Sequence, residues 1–136
     1  MLDYARIAEL TKKGYCCSQI ILQVGLEQAQ KEVHPDLIQA AAGLCLGLHS
    51  GLDCGILSGA ACLIALCLPA EAPELIRELT DWFKSTYELP GGGMSCRDLL
   101  AGNEMNRLTR CPKMLLETYD KMVELLEERG FRFGAD

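Results

Sequence analysis

The sequence lacks both a basic cluster and a hydrophobic segment long enough to cross a bilayer. It has 13 Lys and Arg against 19 Asp and Glu, a formal net charge of −6, and no basic run longer than Lys12-Lys13. Nucleic acids and anionic membranes are bound through clustered basic side chains, so neither partner is expected. The most apolar segment, 54–68, has about 15 residues, whereas a bilayer span needs roughly 20. It therefore predicts a buried helix and no direct membrane insertion.

The sequence also lacks a secretory signal and any pattern of β-strands. Its N-terminus has no basic start followed by an apolar stretch, which indicates a cytoplasmic location. No alternating run of β-branched residues occurs, so no strand is expected. Hydrophobic residues make up 49% of the 136 residues and aromatic residues only 6%. This is enough aliphatic material for one domain, 1–136, to bury a core without disulfides.

Apolar residues recur at helical spacing along most of the chain, with capping residues between the segments. They predict an all-α fold, a single compact bundle of about five to seven helices with glycine-rich loops. Pro90 and the three glycines after it form the strongest break. The predicted helices cover residues 3–13, 18–32, 36–46, 54–68, 73–88, 96–101 and 112–129.

Five glycines recur at every fourth position, at residues 43, 47, 51, 55 and 59. Glycines that share a helix face permit close approach of a second backbone. The favoured interpretation is tight helix packing with a turn in the middle of the series. The functional alternative is a backbone left bare around a site, which makes Gly55 and Gly59 candidate cofactor-binding residues.

Eight cysteines are many for a chain without an export signal. In a reducing compartment this number points to metal binding, thiol chemistry, or cysteines used as small core residues. Four of them fall at predicted helix N-termini: Cys17, Cys54, Cys96 and Cys111. A helix N-terminus presents unpaired N–H groups and about half a positive charge, so it stabilises a thiolate. Arg97 and Arg110, the sequence neighbours of two of these cysteines, would add to the effect.

The other cysteines and the two histidines are not among the four cysteines at predicted helix N-termini. Cys45, Cys62 and Cys67 lie inside predicted helices among apolar residues, so each is predicted to be a buried, inert core residue. Cys16 adjoins Cys17, and which of the two is the working thiol stays open. His34 is predicted to be an exposed turn residue, and His49 a plain loop residue.

The four cysteines and their neighbours resemble the C-GCAxxG-C-C family of redox-active proteins. The resemblance begins at Gly14-Tyr-Cys-Cys17-Ser-Gln, continues with Cys54-Gly-Ile-Leu-Ser-Gly59 and includes Ser-Cys96-Arg-Asp and Cys111-Pro. Ile56 stands where the family pattern has alanine, which is expected to alter packing rather than chemistry. The resemblance implies redox activity of these four cysteines. It also implies an unidentified redox partner protein or a membrane transporter system, since the family is often encoded near transporter genes.

Three functions are therefore compared. In the first, Cys54 attacks as a thiolate and Cys17 or Cys96 resolves the mixed disulfide, as in a thiol–disulfide oxidoreductase or an electron-transfer protein. In the second, Cys17, Cys54, Cys96 and Cys111 bind zinc or an iron–sulfur cluster as a metal site of four thiolates. In the third, the chain is a structural or interaction protein whose cysteines only fill the core. A homodimer is compatible with each of them.

Overall fold

The computed structural model of the protein describes residues 2–87 and 110–134. These residues form six α-helices and no strand, so the all-α prediction is confirmed. No helix among them is long and apolar enough to pass through a membrane. The helices are α1 (Tyr4–Lys12), α2 (Cys17–Gln28), α3 (Pro35–Ala41), α4 (Gly55–Cys67), α5 (Ala72–Tyr87) and α6 (Cys111–Glu128).

Helices α2 and α4 form the centre of the bundle and make its most extensive helix–helix contact. Both carry small residues where they meet. A Cβ atom added at Gly59 would lie 2.8 Å from Ser18 Cα and 2.9 Å from Ser18 O. Gly25 on α2 faces the Leu63 side chain of α4 in the same way. The two backbones can approach this closely only because glycine has no side chain.

The outer helices cover this pair with amphipathic faces. Helix α5 buries Leu75, Leu79 and Phe83, and α6 buries Met114, Met122 and Leu126, among others. Both helices pack against α4 and against each other. Their charged residues face outward, as the helical spacing of apolar residues predicts. The predicted helices 73–88 and 112–129 are thus found within two residues at each end.

Two predicted helices end earlier than expected. Helix α2 ends at Gln28 instead of residue 32, and Gln30 just beyond it has a φ of 59°. Helix α3 ends at Ala41 instead of residue 46 and is followed by a 3₁₀ turn over Ala42–Leu44. The predicted helix 96–101 lies outside the described residues.

The connection between this 3₁₀ turn and α4, residues 45–53, has an irregular backbone. Leu46, Leu48 and His49 have φ between 55° and 60°, in the left-handed region that residues with a side chain rarely adopt. The conformation is held by a hydrogen bond of 2.9 Å from Leu52 N to Gly47 O. His49 Nε2 donates a second bond of 3.0 Å to the Ala42 carbonyl. This connection sets the position at which α4 begins.

Candidate cysteine site

Three of the four cysteines singled out in the sequence begin helices in the structure. Cys17 is the first residue of α2, Cys54 is the N-cap of α4, and Cys111 is the first residue of α6. The fourth, Cys96, lies outside the described residues. The helix starts predicted at these three cysteines are therefore correct to within one residue.

These three helix starts meet at one cavity of about 170 Å³. Cys17, Cys54 and Cys111 all line it, although the chain separates them widely. Cys54 is 7% exposed, and the other two are half-buried. The remaining lining residues are mostly apolar: Ile7, Thr11, Tyr15, Cys16, Ile20, Leu46, Pro112 and Leu115. A larger groove of about 690 Å³ beside Tyr119 contains no cysteine in its described lining.

The glycines of the central motif explain how Cys54 reaches this cavity. A Cβ atom at Gly55 would lie 3.3 Å from Leu44 O and 3.6 Å from Ser18 N, and one at Gly59 would collide with the backbone of Ser18. Both glycines therefore bring the start of α4 against the start of α2. This packing accounts for their spacing, while the alternative that they bind a cofactor stays a prediction. The turn expected in the middle of the glycine series is the irregular connection 45–53.

Cys16 and Cys45 form a disulfide with a Cα–Cα distance of 5.8 Å. The prediction that Cys45 is buried is confirmed, but the prediction that it is an inert residue inside a helix is wrong. The helix expected to reach residue 46 ends at Ala41, which leaves Cys45 in extended backbone at the end of the 3₁₀ turn. There it meets Cys16, the N-cap of α2. Of the neighbours Cys16 and Cys17, the first is joined to Cys45 and the second begins the helix.

Sequence reasoning missed two polar residues that organise this end of α2. Ser18 is 0% exposed and donates a hydrogen bond of 2.8 Å to the Ala41 carbonyl. Gln19 accepts from the Cys16 backbone N–H at 3.1 Å and donates to the Ile38 carbonyl at 3.1 Å. Both side chains join α2 to α3 and the turn after it. Their place directly after the cysteine pair, at a helix start, was the available signal.

A tyrosine–carboxylate pair lies near Cys54. The Tyr87 hydroxyl donates a hydrogen bond of 2.5 Å to Glu117 Oε1. Burial raises the pKa of Tyr87 most, the bond to Glu117 and its charge raise it further, and the Cys54 sulfur acts in the same direction. A negative charge on this tyrosine is thus strongly disfavoured, and the hydroxyl keeps its proton near Cys54.

The other two cysteines lie away from this cavity, on α4. Cys67 is buried, as predicted, and burial raises its pKa to about 11. Cys62 is exposed, so the prediction that it is buried is wrong. The apolar run 54–68 suggested burial on all sides, but one face of α4 is left open at this position. His34 is an exposed helix cap and His49 a loop residue, as predicted.

The alternative function, binding of zinc or an iron–sulfur cluster, requires several ligand side chains to lie close together. Within ranges 2–87 and 110–134, no group of three or more His, Cys, Asp or Glu side chains is arranged to hold a metal ion. The predicted set of four cysteine ligands also includes Cys96, which is outside those ranges. The described cysteines thus share a cavity without forming a metal-binding group among themselves.

Comparison with known protein families decides the affiliation of the chain. A family model described as "Putative redox-active protein (C_GCAxxG_C_C)" matches residues 15–125, most of the chain. The chain belongs to this family. The match includes all three helix starts that meet at the cavity. Comparisons with curated proteins and with solved structures gave no match.

Proposed function

We propose that this family member is a thiol–disulfide redox protein whose working residues are Cys17, Cys54, Cys96 and Cys111. The observation that carries the proposal is the cavity at which the starts of α2, α4 and α6 bring three of these cysteines together. Cysteines that are far apart in the chain but border one small cavity are placed to react with one another. The family description supports redox activity in general.

The helix starts around the cavity are positioned to stabilise a thiolate. Three helix N-termini point their unpaired N–H groups and partial positive charge toward it. The thiolate is the form that attacks a disulfide.

In the proposed reaction, the Cys54 thiolate attacks a disulfide of a partner protein. A mixed disulfide forms, and one partner sulfur leaves as a thiolate. The thiolate of Cys17 or Cys96 then attacks Cys54 Sγ and releases the second partner sulfur. The partner disulfide is reduced by two electrons, and two thiols of this protein are oxidised to a disulfide. The same steps in reverse would oxidise a partner dithiol.

The proposal is tested by counting thiols in protein purified without oxygen and then titrated between reducing and oxidising dithiothreitol buffers. We expect a reversible loss of two thiols beyond those of the Cys16–Cys45 pair. The Cys54→Ser variant should abolish this loss, and Cys62→Ser, at an exposed position outside the cavity, should leave it unchanged. A thiol count that changes by no more than the two thiols of the Cys16–Cys45 pair across the whole titration would refute the proposal.

Metal analysis of the same anaerobic preparation separates the redox function from the metal-binding one. We expect substoichiometric zinc and iron and no visible absorbance. Zinc or iron near one equivalent or more, lost in Cys54→Ser but retained in Cys62→Ser, would replace the dithiol reaction by a metal or cluster site. If the protein contains no metal and its thiol count does not change, the function as a structural or interaction protein would be supported instead.

A further inference from the structure

The Cys16–Cys45 disulfide joins two segments that both border the cysteine cavity. Cys16 caps α2, directly before Cys17, and Cys45 begins the connection that ends at Cys54. Neither residue is among the four cysteines that the motif identifies. The described chain therefore contains a second sulfur pair next to the proposed redox site.

The two sulfurs of this pair have different surroundings. Cys16 is half-buried and lines the cavity together with Cys17, Cys54 and Cys111. Cys45 is 7% exposed and is not part of the described lining of that cavity. Cys16 is therefore the member of the pair that a cavity thiolate would attack, and Cys45 would be the leaving group.

A buried hydroxyl stands beside both sulfurs. Ser18 Oγ lies 3.2 Å from Cys16 Sγ and 3.7 Å from Cys45 Sγ. In the disulfide form the hydroxyl donates to the Ala41 carbonyl at 2.8 Å. Rotation about its C–O bond would direct the hydrogen to a thiolate at Cys45. A hydrogen bond to a leaving thiolate stabilises its charge and so favours departure.

Chain geometry limits which cysteine can attack Cys16 Sγ. Cys17 is disfavoured because adjacent Cα atoms are about 3.8 Å apart, closer than the roughly 4.4 Å that is usual for disulfides. Cys54 is favoured, since Gly55 next to it packs against Ser18, two residues from Cys16. The position of a Cβ at Gly55 lies 3.6 Å from Ser18 N and 3.7 Å from Ser18 Cβ.

We propose that the Cys16–Cys45 disulfide is redox-active and exchanges with the cavity cysteines through Cys54, an inference that rests on the proposed function. The Cys54 thiolate attacks Cys16 Sγ, a Cys54–Cys16 bond forms, and the Cys16–Cys45 bond breaks. The electron pair leaves on Cys45 Sγ, which accepts a hydrogen bond from Ser18. No outside oxidant is needed, because one disulfide replaces another. The thiolate of Cys17 or Cys96 then attacks Cys54 Sγ and Cys16 leaves as a thiolate, so the Cys16–Cys45 pair gains two electrons and two other cysteines of the site lose them.

The exchange is tested by reducing the oxidised protein with limiting dithiothreitol and following each cysteine by differential alkylation and mass spectrometry. Digestion before Asp53 separates Cys45 from Cys54, and fragment ions distinguish Cys16 from Cys17. We expect the Cys16–Cys45 pair to be reduced at least tenfold more slowly in Cys54→Ser than in the unaltered protein. Cys62→Ser should retain the original rate. Equal rates in Cys54→Ser and the unaltered protein would overturn the proposal.

A trapping variant gives a second measurement. Cys45→Ser leaves Cys16 without its disulfide partner, and on mild oxidation we expect a Cys16–Cys54 cross-link. It should be absent from the double variant with Cys54→Ser. Persistence of Cys16 as a thiol, while the cavity cysteines oxidise, would contradict the exchange.

The underlying redox function is checked separately in Cys16→Ser/Cys45→Ser protein. Reversible oxidation of the cavity cysteines there would uphold it, whatever the rate experiment shows.

Discussion

The two ends of α4 each carry a buried cysteine, and the surroundings of the two cysteines differ although their burial does not. Cys54 at the N-terminal end is 7% exposed, and Cys67 at the C-terminal end is 8% exposed. Cys54 lies at the positive end of the helix dipole and borders a cavity shared with other cysteines. Cys67 lies at the negative end, where burial raises its pKa to about 11 despite the charge of Lys31. The two cysteines therefore differ in their neighbours and in their position on the helix, and not in their burial.

The largest effect is expected from a substitution that disrupts the packing of α4 against α2 near the N-terminal end of α4. In Gly59→Val, the new Cβ would lie 2.8 Å from Ser18 Cα, so α2 and α4 must move apart. We expect a loss of about 3 kcal/mol in the free energy of unfolding, measured by urea denaturation. Gly43→Ala is the control, because a Cβ there meets nothing within 4 Å. Equal stabilities of the two variants would show that the close approach is not required.

The second prediction compares the two thiols directly. At pH 8 a thiol with a pKa of about 11 is thiolate in roughly one molecule in a thousand, against about a quarter for an unperturbed thiol. In fully reduced protein, we expect iodoacetamide to modify Cys54 on the order of 100-fold faster than Cys67. Peptide-level mass spectrometry over time gives both rates. Comparable rates would contradict the raised pKa of Cys67 or the proposed reactivity of Cys54.

The third prediction concerns stability at high pH. The pKa of Cys67 is raised in the folded state, so its contribution is complete below about pH 9 and is lost as pH rises toward 11. We expect the unaltered protein to lose on the order of 1 kcal/mol more than Cys67→Ala between pH 8 and pH 10. Urea denaturation at each pH measures this difference in slope. Parallel curves for the two proteins would contradict the raised pKa.

The smallest effect is expected at Cys62, which lies on the same helix but is exposed. Cys62→Ser should change the free energy of unfolding by less than about 0.5 kcal/mol. It should also leave the rate of Cys54 alkylation unchanged. A loss of several-fold in that rate would link the open face of α4 to the cavity.

The sequence was sufficient to locate the helix starts that carry the site. Pro112 directly after Cys111 and the capping residue Asp53 directly before Cys54 are local signals, so they can be read without knowledge of the fold. The helical spacing of apolar residues likewise predicted α5 and α6, whose charged faces contrast with their buried ones. All-α architecture followed from these signals and is what the described residues have.

The partner of Cys16 could not be predicted, because it depends on where α3 ends. The apolar residues up to residue 46 favoured a continuous helix. In the structure the helix ends at Ala41, and Leu46 and Leu48 adopt a left-handed backbone conformation. Leucine rarely adopts that conformation, so nothing local indicated it. The exposure of Cys62 was missed for a related reason. Which face of a uniformly apolar helix is covered depends on its neighbours and not on its own sequence.

The most direct test of the account is disulfide mapping of the protein at its oxidising endpoint, with cross-linked peptides identified by mass spectrometry. The account predicts a second cross-link, besides Cys16–Cys45, that joins two of Cys17, Cys54, Cys96 and Cys111 and disappears on reduction. A map with only the Cys16–Cys45 cross-link at every potential, and the four motif cysteines always alkylated as thiols, would contradict it.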